Sequence, residues 1–288
     1  MEPLTQSVLV GVTGPGENTD ALRFAISEAR TLGRGLTLVH AVHPLLPPPP
    51  PSILMTDDTW SDVGRTIMDE ARGELEGLLG EASLPVDTDL RHGDPGSIFA
   101  ELSTGASMVV LQRRDLSRLH RIVTSSTVTS VAAHAHCPVV SVPAGVDAPP
   151  TAGRVTVGVH GDGGPREVVE AAFAEASARR CELAVVHAWR LAAYYDDMLA
   201  DEARWTAQDE ARIVTGIEEL RSKYPDVVVR VDVRHDWPAD VLVDAAKDSA
   251  MVVVGRHSGL SGLPARLGPL TRAVIAHARG PVMIVPLS

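Results

Sequence analysis

The sequence contains an internal repeat, which leaves few folds open to a chain of 288 residues. Ser7–Val12 (SVLVGV) is similar to Arg154–Val159 (RVTVGV), and Leu38–Val42 (LVHAV) is similar to Val185–Trp189 (VVHAW). Both matches lie at an offset of 147 residues. A repeat of this length predicts two divergent copies of one domain, each long enough to bury its own core.

Later matches lie at a shorter offset of 143 residues, for example Met108–Val110 with Met251–Val253. The first copy therefore carries a net insertion of four residues between its second and third strands. Pro44 and Pro47–Pro51 lie there and predict a stiff polyproline II segment. This segment is either a solvated insertion, or a lid or docking segment for a partner.

The seam between the copies is predicted at Ala144–Gly153. We therefore expect a first domain over residues 1-146 and a second domain over residues 152-288. Within each copy, short apolar runs alternate with helical patterns, as in Val8–Val12 followed by a helix from about Thr19. In the first copy we then expect a second strand at Leu36–Val42 and a helix over Ser61–Leu79, which Gly64, Gly73 and Gly77 weaken. This alternation predicts an α/β fold with two tandem open five-stranded parallel-sheet domains.

Two strand patterns predict where the sheets end. Val227–Arg234 alternates apolar and polar residues, which favours an edge strand over a central one. The fifth strand of each copy (Val282–Val285 in the second) is apolar on both faces and needs a cover at a sheet edge. The fifth strand of the other copy could supply that cover. We therefore expect the two domains to pair as an internal pseudo-dimer.

Composition excludes several function classes. The formal net charge of −11 disfavours binding to nucleic acid or to anionic membrane surfaces. No apolar run approaches the length of a membrane span, and MEPLTQSVLV lacks the features of a signal peptide. Cys137 and Cys181 do not form a disulfide framework. Together these features predict a cytoplasmic protein.

Four sequence features resemble the universal stress protein (UspA) family. They are the VGV strand with its turn, the VHA strand, the VVVG loop, and the Ala-His-Ala-x-x-Pro-Val endings at Ala133–Val139 and Ala276–Val282. The whole chain resembles a tandem, two-domain member of that family. The resemblance implies domains of the adenine nucleotide alpha hydrolase-like, UspA-like fold that pair through their last strands.

The resemblance also implies ATP binding, because many family members carry a loop of the form G-x-x-G, nine residues, then G-[ST]. Glycines allow close approach of the backbone to ribose and phosphate, and the final pair opens a helix whose N–H groups hold phosphates. An Asp after the first strand usually contacts the base. In the second copy these five positions are occupied by Gly255, Ser258, Gly268, Pro269 and, in place of the Asp, His160.

In the first copy the pattern is more strongly altered. The same positions are expected at Leu111, Arg114, Thr124, Ser125 and, in place of the Asp, Thr13. We therefore expect nucleotide, if it binds, in the second domain. The predicted nucleotide-binding residues are Gly158, Val159, His160, His187, Gly255, Arg256, His257, Ser258, Gly268 and Leu270. The cofactor would be ATP, with Mg when bound.

Three further groups of residues each allow two interpretations. The basic patch of Arg113, Arg114, Arg118 and Arg121 either contacts a phosphate-bearing ligand other than ATP or is a solvated loop. The repeated histidines either contact a ligand or act as partly buried polar caps: His40, His92, His187 and His235. The third group, His134, His136 and Cys137, contains metal-ligand types but also matches the end of a helix.

The sequence thus predicts a universal stress protein, a regulatory module of the stress response. It would bind ATP in the second domain without efficient catalysis, and so set its affinity for an unidentified protein partner. No nucleophile elbow or Walker-type GK[ST] is present, so we expect no catalytic residues and no metal site. The alternative is a nucleotide-free structural or interaction module of the same fold. Whether two chains form a homodimer is left open.

Overall fold

In the computed structural model, the described residues are 6–14, 16–42, 57–113, 127–145, 153–190, 202–256 and 267–287. The chain divides into two units, Met1–Ala148 and Pro149–Ser288. Each unit is an α/β domain with a parallel sheet, which confirms the predicted fold class. Among the described residues, no helix combines the length and the apolar character needed to cross a bilayer.

The first unit contains five parallel strands in the order β3-β2-β1-β4-β5. The order reverses between β1 and β4, so the carboxyl ends of these two strands border a crevice of the kind where open α/β sheets bind ligands. We call it the first crevice. The elements are β1 (Val8–Gly11), α1 (Thr19–Leu32), β2 (Leu36–Val42), α2 (Asp57–Leu79), β3 (Val86–His92), α3 (Pro95–Ser103), β4 (Met108–Arg113), α4 (Thr127–His134) and β5 (Val139–Pro143).

The second unit repeats this arrangement with the strand order β10-β9-β6-β7-β8. Its reversal lies between β6 and β9, whose carboxyl ends border the second crevice. The elements are β6 (Arg154–Gly158), α5 (Arg166–Arg179), β7 (Leu183–Trp189), α6 (Glu202–Lys223), β8 (Val229–His235), α7 (Pro238–Ala245), β9 (Ser249–Gly255), α8 (Pro269–His277) and β10 (Val282–Val285).

The burial of the strands follows their place in the sheet. All four residues of the central strand β1 are buried, and six of the seven residues of β9 are buried. The outer strands β3 and β8 contain no fully buried residue. The alternating pattern at Val227–Arg234 therefore predicted the edge position of β8 correctly.

The helix α2 lies close to the sheet of the first unit because Gly64 has no side chain. A Cβ at Gly64 would lie 2.8 Å from Val42 Cγ2 and 2.9 Å from Leu90 Cδ1. From the sequence alone, Gly64, Gly73 and Gly77 are all expected to weaken the helix by the same amount. In the structure only Gly64 is needed for packing, since a Cβ at Gly73 or Gly77 would meet no atom within 4 Å.

Candidate functional site

The second crevice brings together most of the predicted nucleotide-binding residues. Gly158, Val159 and His160 follow along the end of β6, and His187 lies two residues before the end of β7. Gly255 is the last residue of β9 and Arg256 follows it, while Gly268 precedes α8 and Leu270 is the second residue of this helix. His257 and Ser258 lie outside the described residues.

The start of α8 is fixed to the end of β9 by Thr271. Its buried hydroxyl donates to the carbonyl oxygen of Gly255 at 3.1 Å. Gly268 precedes the helix and provides no side-chain cap, and Pro269 has no N–H. The first backbone N–H groups of this helix are therefore those of Leu270 and Thr271, at the end that attracts anions. Thr271 was not predicted, because the family pattern places the hydroxyl directly after Gly268.

Packing within the second unit requires the glycines at the ends of β6 and β9. A Cβ at Gly255 would lie 3.0 Å from Val168 Cγ2, on the buried face of α5. A Cβ at Gly158 would lie 2.7 Å from Leu242 Cδ1. The resemblance implies that the glycine at position 255 leaves space for a ligand. In this chain, the group nearest to Gly255 is the side chain of Val168.

Arg256 is the residue after β9 and lies at the border of the second crevice. Its backbone N–H donates to the carbonyl oxygen of Val285 at 2.8 Å. The side chain is half-buried, and this burial lowers the pKa of its guanidinium group. A guanidinium group that has already lost part of its hydration is suited to an anionic partner.

A tight, glycine-rich turn holds His160 at the surface of the second unit. The N–H of Gly163 donates to the carbonyl oxygen of His160 at 3.0 Å. Gly163 and Gly164 have φ angles of +98° and +75°, a conformation that favours glycine. The turn packs closely against α6: a Cβ at Gly163 would lie 3.4 Å from the Cα atom of Gly216 in that helix.

His187 is buried and contacts protein groups at both ring nitrogens. Nδ1 lies 3.0 Å from the carbonyl oxygen of Val159, and Nε2 lies 3.6 Å from Oδ2 of Asp209. Asp209 also forms an ion pair with Arg212. This geometry agrees with the polar-cap interpretation of His187. Asp209 was not predicted, although its spacing of four and eight residues from Ile213 and Ile217 places it on the buried face of α6.

The strand register corrects one expectation about the first crevice. Val8 pairs with Met108 in the first unit, and Val155 pairs with Met251 in the second. Counting from Met108 and Met251, the residue equivalent to Gly255 is Gln112. The expectation that Leu111 occupies this position is therefore wrong by one residue, because the alignment of the loops was not tied to the strands.

The side chain of Gln112 bonds to the start of α1 at the border of the first crevice. Its Oε1 atom accepts from the N–H of Ala21 at 3.0 Å, and its Nε2 atom donates to Oδ2 of Asp20 at 3.2 Å. The same Asp20 oxygen accepts from the N–H of Gly145 at 2.8 Å. An amide side chain thus satisfies an N-terminal N–H of α1 in a place where an external anion could otherwise bind.

The other half of the first crevice is also internally bonded. Thr13, at the position where the family carries its Asp, donates to Glu17 Oε2 or to Asn18 Oδ1, both at 3.2 Å. The amide of Asn18 in turn donates to the carbonyl oxygen of Gly14 at 2.9 Å. Of the basic patch, the structure describes Arg113 at the end of β4. Arg114, Arg118, Arg121, Thr124 and Ser125 lie outside the described residues, as do Pro44 and Pro47–Pro51.

The remaining histidines contact protein groups. His40 Nδ1 lies 2.8 Å from the carbonyl oxygen of Val12, and His92 Nε2 lies 3.2 Å from Ser61 Oγ. The ring of His235 stacks on Trp189 with 4.3 Å between centroids. These contacts support the polar-cap interpretation of the repeated histidines over ligand contact.

The possible metal ligands at the end of α4 are not grouped. His134 Nδ1 lies 2.9 Å from the carbonyl oxygen of Ser130. Cys137 is buried, and its burial raises the pKa of the thiol to about 12, so the thiolate that binds metals is disfavoured. In the described part of the chain, no three His, Cys, Asp or Glu residues are close enough together to hold a metal ion.

Comparison with known proteins gives consistent results for both halves of the chain. The sequence model of the universal stress protein family matches residues 5–143 and, separately, residues 151–286. A universal stress protein of Mycolicibacterium smegmatis is 32% identical over 288 residues, covering 96% of each chain. A universal stress protein of Mycobacterium tuberculosis is 31% identical over 286 residues, also covering 96% of each.

Solved structures share the fold at low sequence identity. The crystal structure of a universal stress protein from Archaeoglobus fulgidus superimposes with a TM-score of 0.72 at 16% identity. The alignment covers 98% of this chain and 97% of that chain. At this identity the likeness shows the shared fold alone.

Proposed function

Because the chain belongs to the universal stress protein family, we propose that it is a regulatory protein of the stress response whose second domain binds ATP. Binding takes place in the second crevice without efficient catalysis, and Mg accompanies the phosphates. The bound state sets the affinity for a protein partner. We place the protein in the cytoplasm, in keeping with its two free cysteines.

One observation carries this proposal: the side chain of Gln112 bonds to a helix start at the border of the first crevice, and the matching position of the second crevice, Gly255, has no side chain. In the first unit, Gln112 bonds the N–H of Ala21. In the second unit the same two positions are Gly255, which has no side chain, and Val168, whose N–H donates to the carbonyl oxygen of Pro165 at 3.1 Å. The end of β9 therefore places no side chain beside the N–H groups of Leu270 and Thr271 at the start of α8, and these are the groups that an external anion would use.

Each group at the second crevice has a proposed role. The N–H groups of Leu270 and Thr271, at the start of α8, would hold phosphate oxygens, and Arg256 would add a charged contact. His160 is exposed on its turn and would contact the base from the position where the family carries its Asp. His187 acts indirectly, because both its ring nitrogens face protein groups.

Regulation is favoured over turnover by the chemistry of these groups. Among the described residues at the crevice, the hydroxyl of Thr271 donates to Gly255. His187 contacts Val159 and Asp209. A nucleophile next to a general base is needed for efficient hydrolysis, and neither side chain is placed to act as one for the other.

A swap of residues between the two domains tests the proposal. The double variant Val168→Ala/Gly255→Gln copies the Ala21/Gln112 pair of the first unit into the second crevice, and the alanine removes the clash 3.0 Å from Gly255. With Mg-ATP at about one hundred times its dissociation constant, the wild type should gain about 2.7 kcal/mol of stability. The double variant should lose this gain, as measured by thermal unfolding with and without nucleotide.

Two controls complete the swap experiment. Val168→Ala alone should keep the nucleotide effect, because the crevice stays open. Gln112→Ala should also keep it, because the first crevice is not used. An unreduced effect in the double variant would place the nucleotide elsewhere. A wild type that shows no stabilisation at millimolar Mg-ATP would favour the nucleotide-free interaction module instead.

A further inference from the structure

Trp237 occupies the cap position of α7 without acting as a cap. The equivalent residue of the first unit is Asp94, which also precedes a helix that begins with proline. The Asp94 side chain accepts from the N–H of Ser97 at 2.9 Å and so caps α3. Trp237 forms no such bond, and it is 58% exposed. The second unit therefore lacks a helix cap at the position where it exposes an indole.

A second exposed tryptophan belongs to the same part of the surface. Trp205 lies on the first turn of α6 and is 54% exposed. It is one helical turn from Glu202, whose carboxylate lies 3.4 Å from Nδ1 of His235. His235 is the last residue of β8, two residues before Trp237. The two indoles therefore flank one contact between α6 and the end of β8.

This part of the second unit concentrates exposed aromatic area. Exposed apolar side chains that occur singly are common on proteins and need no explanation. Here the two large aromatic side chains that are exposed among the described residues lie together, in a chain with only 3% aromatic residues. Tryptophan is also the residue type most enriched at the centres of protein interfaces. We call this region the indole surface, and its residues are Trp205, His235, Asp236, Trp237 and Asp240.

Two carboxylates of the indole surface are available to a cation. Asp236 and Asp240 precede and follow Trp237 in the sequence, and both are exposed. An oxygen of Asp236 accepts from the N–H of Trp237 at 2.7 Å. In the part of the chain that the structure describes, neither carboxylate forms an ion pair. A lysine or arginine from a partner would therefore meet two carboxylates beside an exposed indole.

The arginines near the indole surface already contact groups of the chain. Arg190 Cζ lies 5.1 Å from the centre of the Trp237 ring, a distance at which an aromatic ring attracts a guanidinium. Arg234 pairs with Asp232 at 2.6 Å, and Arg204 also has a partner within the chain. An external partner would therefore pair with the carboxylates of this surface rather than with its arginines.

We propose that the indole surface binds a basic segment of a partner protein. An apolar side chain of that segment lies against Trp205 and Trp237, and its lysine or arginine pairs with Asp236 and Asp240. The surface lies at the same edge of the sheet as the second crevice, at the carboxyl ends of β7 and β8. The link between partner and nucleotide rests on the proposed function, whereas the surface itself does not.

Peptide binding to the full chain tests the proposal. The probe is a dye-labelled amphipathic peptide of about 14 residues, with Leu and Lys at helical spacing. In one matched peptide Glu replaces Lys, and in the other Ser replaces Leu. Fluorescence anisotropy measures the affinities. The Lys–Leu peptide should bind at least about tenfold more tightly than either matched peptide, because each of these lacks one half of the recognition.

The first unit supplies the main variant. Trp237→Asp copies Asp94 and can cap α7, so the variant should fold. It also adds a negative charge, which by itself would favour the basic peptide. The affinity for the Lys–Leu peptide should nevertheless fall about tenfold, because the indole is lost. The matched control is Val228→Asp, which adds the same charge at another exposed apolar residue, at the amino end of β8. Its affinity should not fall.

Two further variants keep the test decisive. Trp205→Gln should also weaken binding of the Lys–Leu peptide, and it serves if Trp237→Asp folds poorly. Asp236→Asn/Asp240→Asn should weaken binding about threefold, because two exposed ion pairs are lost. Three results would each overturn the proposal: no binding of the Lys–Leu peptide at millimolar concentration, tighter binding of the Glu–Leu peptide, or an unchanged affinity in both tryptophan variants.

A repeat of the titration with Mg-ATP tests the link to the second crevice. A change in the affinity for the Lys–Leu peptide would support control of the partner by nucleotide. If Mg-ATP stabilises the chain but leaves this affinity unchanged, the link fails and the indole surface stands. If Mg-ATP does not stabilise the chain while the tryptophan variants still weaken peptide binding, the proposed function fails and the surface stands.

Discussion

Arg180 ends α5 in a left-handed backbone conformation, with a φ angle of +52°. The equivalent residue of the first unit, after α1, is Gly33 with a φ angle of +62°. Both residues close their helix in the same way, with N–H groups turned back to the last carbonyl oxygens. An L residue pays about 1 kcal/mol for this conformation, whereas glycine adopts it readily. The second unit therefore carries a local strain that the first avoids.

Replacing Arg180 by glycine should relieve this strain. We expect Arg180→Gly to raise the free energy of unfolding by about 1 kcal/mol, as measured by denaturant unfolding of the full chain. The reverse change, Gly33→Arg, should lower it by a similar amount through the backbone, because a Cβ at Gly33 would meet no atom within 4 Å. A loss of stability in Arg180→Gly would show that the exposed Arg180 side chain contributes more than the backbone strain costs.

Among the elements, α2 contains glycines with opposite consequences. Gly64 faces β2 and β3, where a Cβ would lie within 3 Å of two side chains, while Gly73 faces open space. The helix pattern alone cannot separate these two positions, because helix propensity is the same for both. The distance from the helix to the sheet separates them.

Alanine at the two positions should therefore change stability in opposite directions. Gly73→Ala should raise the free energy of unfolding by up to about 1 kcal/mol, the difference in helix propensity. Gly64→Ala should lower it by about 1–2 kcal/mol, because overpacking against Val42 and Leu90 exceeds the gain in propensity. Urea unfolding measures both, and a stabilised Gly64→Ala would mean that α2 can move away from the sheet without cost.

The sequence predicted the helices and strands but not the contacts between them. The strand Leu36–Val42 has the predicted bounds, because a mainly apolar run bounded by turn residues indicates a strand directly. The helix α2 begins at Asp57, four residues before the predicted Ser61, since the start of a helix without a clear capping pattern is poorly specified. Gln112 and Asp209 were missed because their roles depend on residues about 90 and 20 positions away, across strand register and helix packing.

At the scale of the whole molecule, the two units share one topology and differ at their crevices. Matching strand orders explain why the repeat is visible in sequence. The predicted pairing of the domains through their last strands stays a prediction. It rests on the doubly apolar fifth strands, which would otherwise leave an edge open to other chains.

Separating the domains tests this pairing. If each fifth strand covers the other, residues 152–288 alone should self-associate into a dimer, with Val282–Val285 of one copy beside that of the next. Light scattering after size-exclusion chromatography measures the mass, and the full-length chain at the same concentration is the control. A strictly monomeric second domain at high micromolar concentration would argue against pairing through this strand.

The amide of Gln112 has a thermodynamic consequence that reaches beyond the first crevice. A group that belongs to the chain is present at a fixed effective concentration, so the bond between Gln112 and Ala21 does not depend on the concentration of any ligand. A diffusible ligand follows mass action, so the stability of the second domain would rise with the logarithm of nucleotide concentration while that of the first stays constant. One half of the molecule would then be a constant reference, and the other half would report how much nucleotide the cell contains.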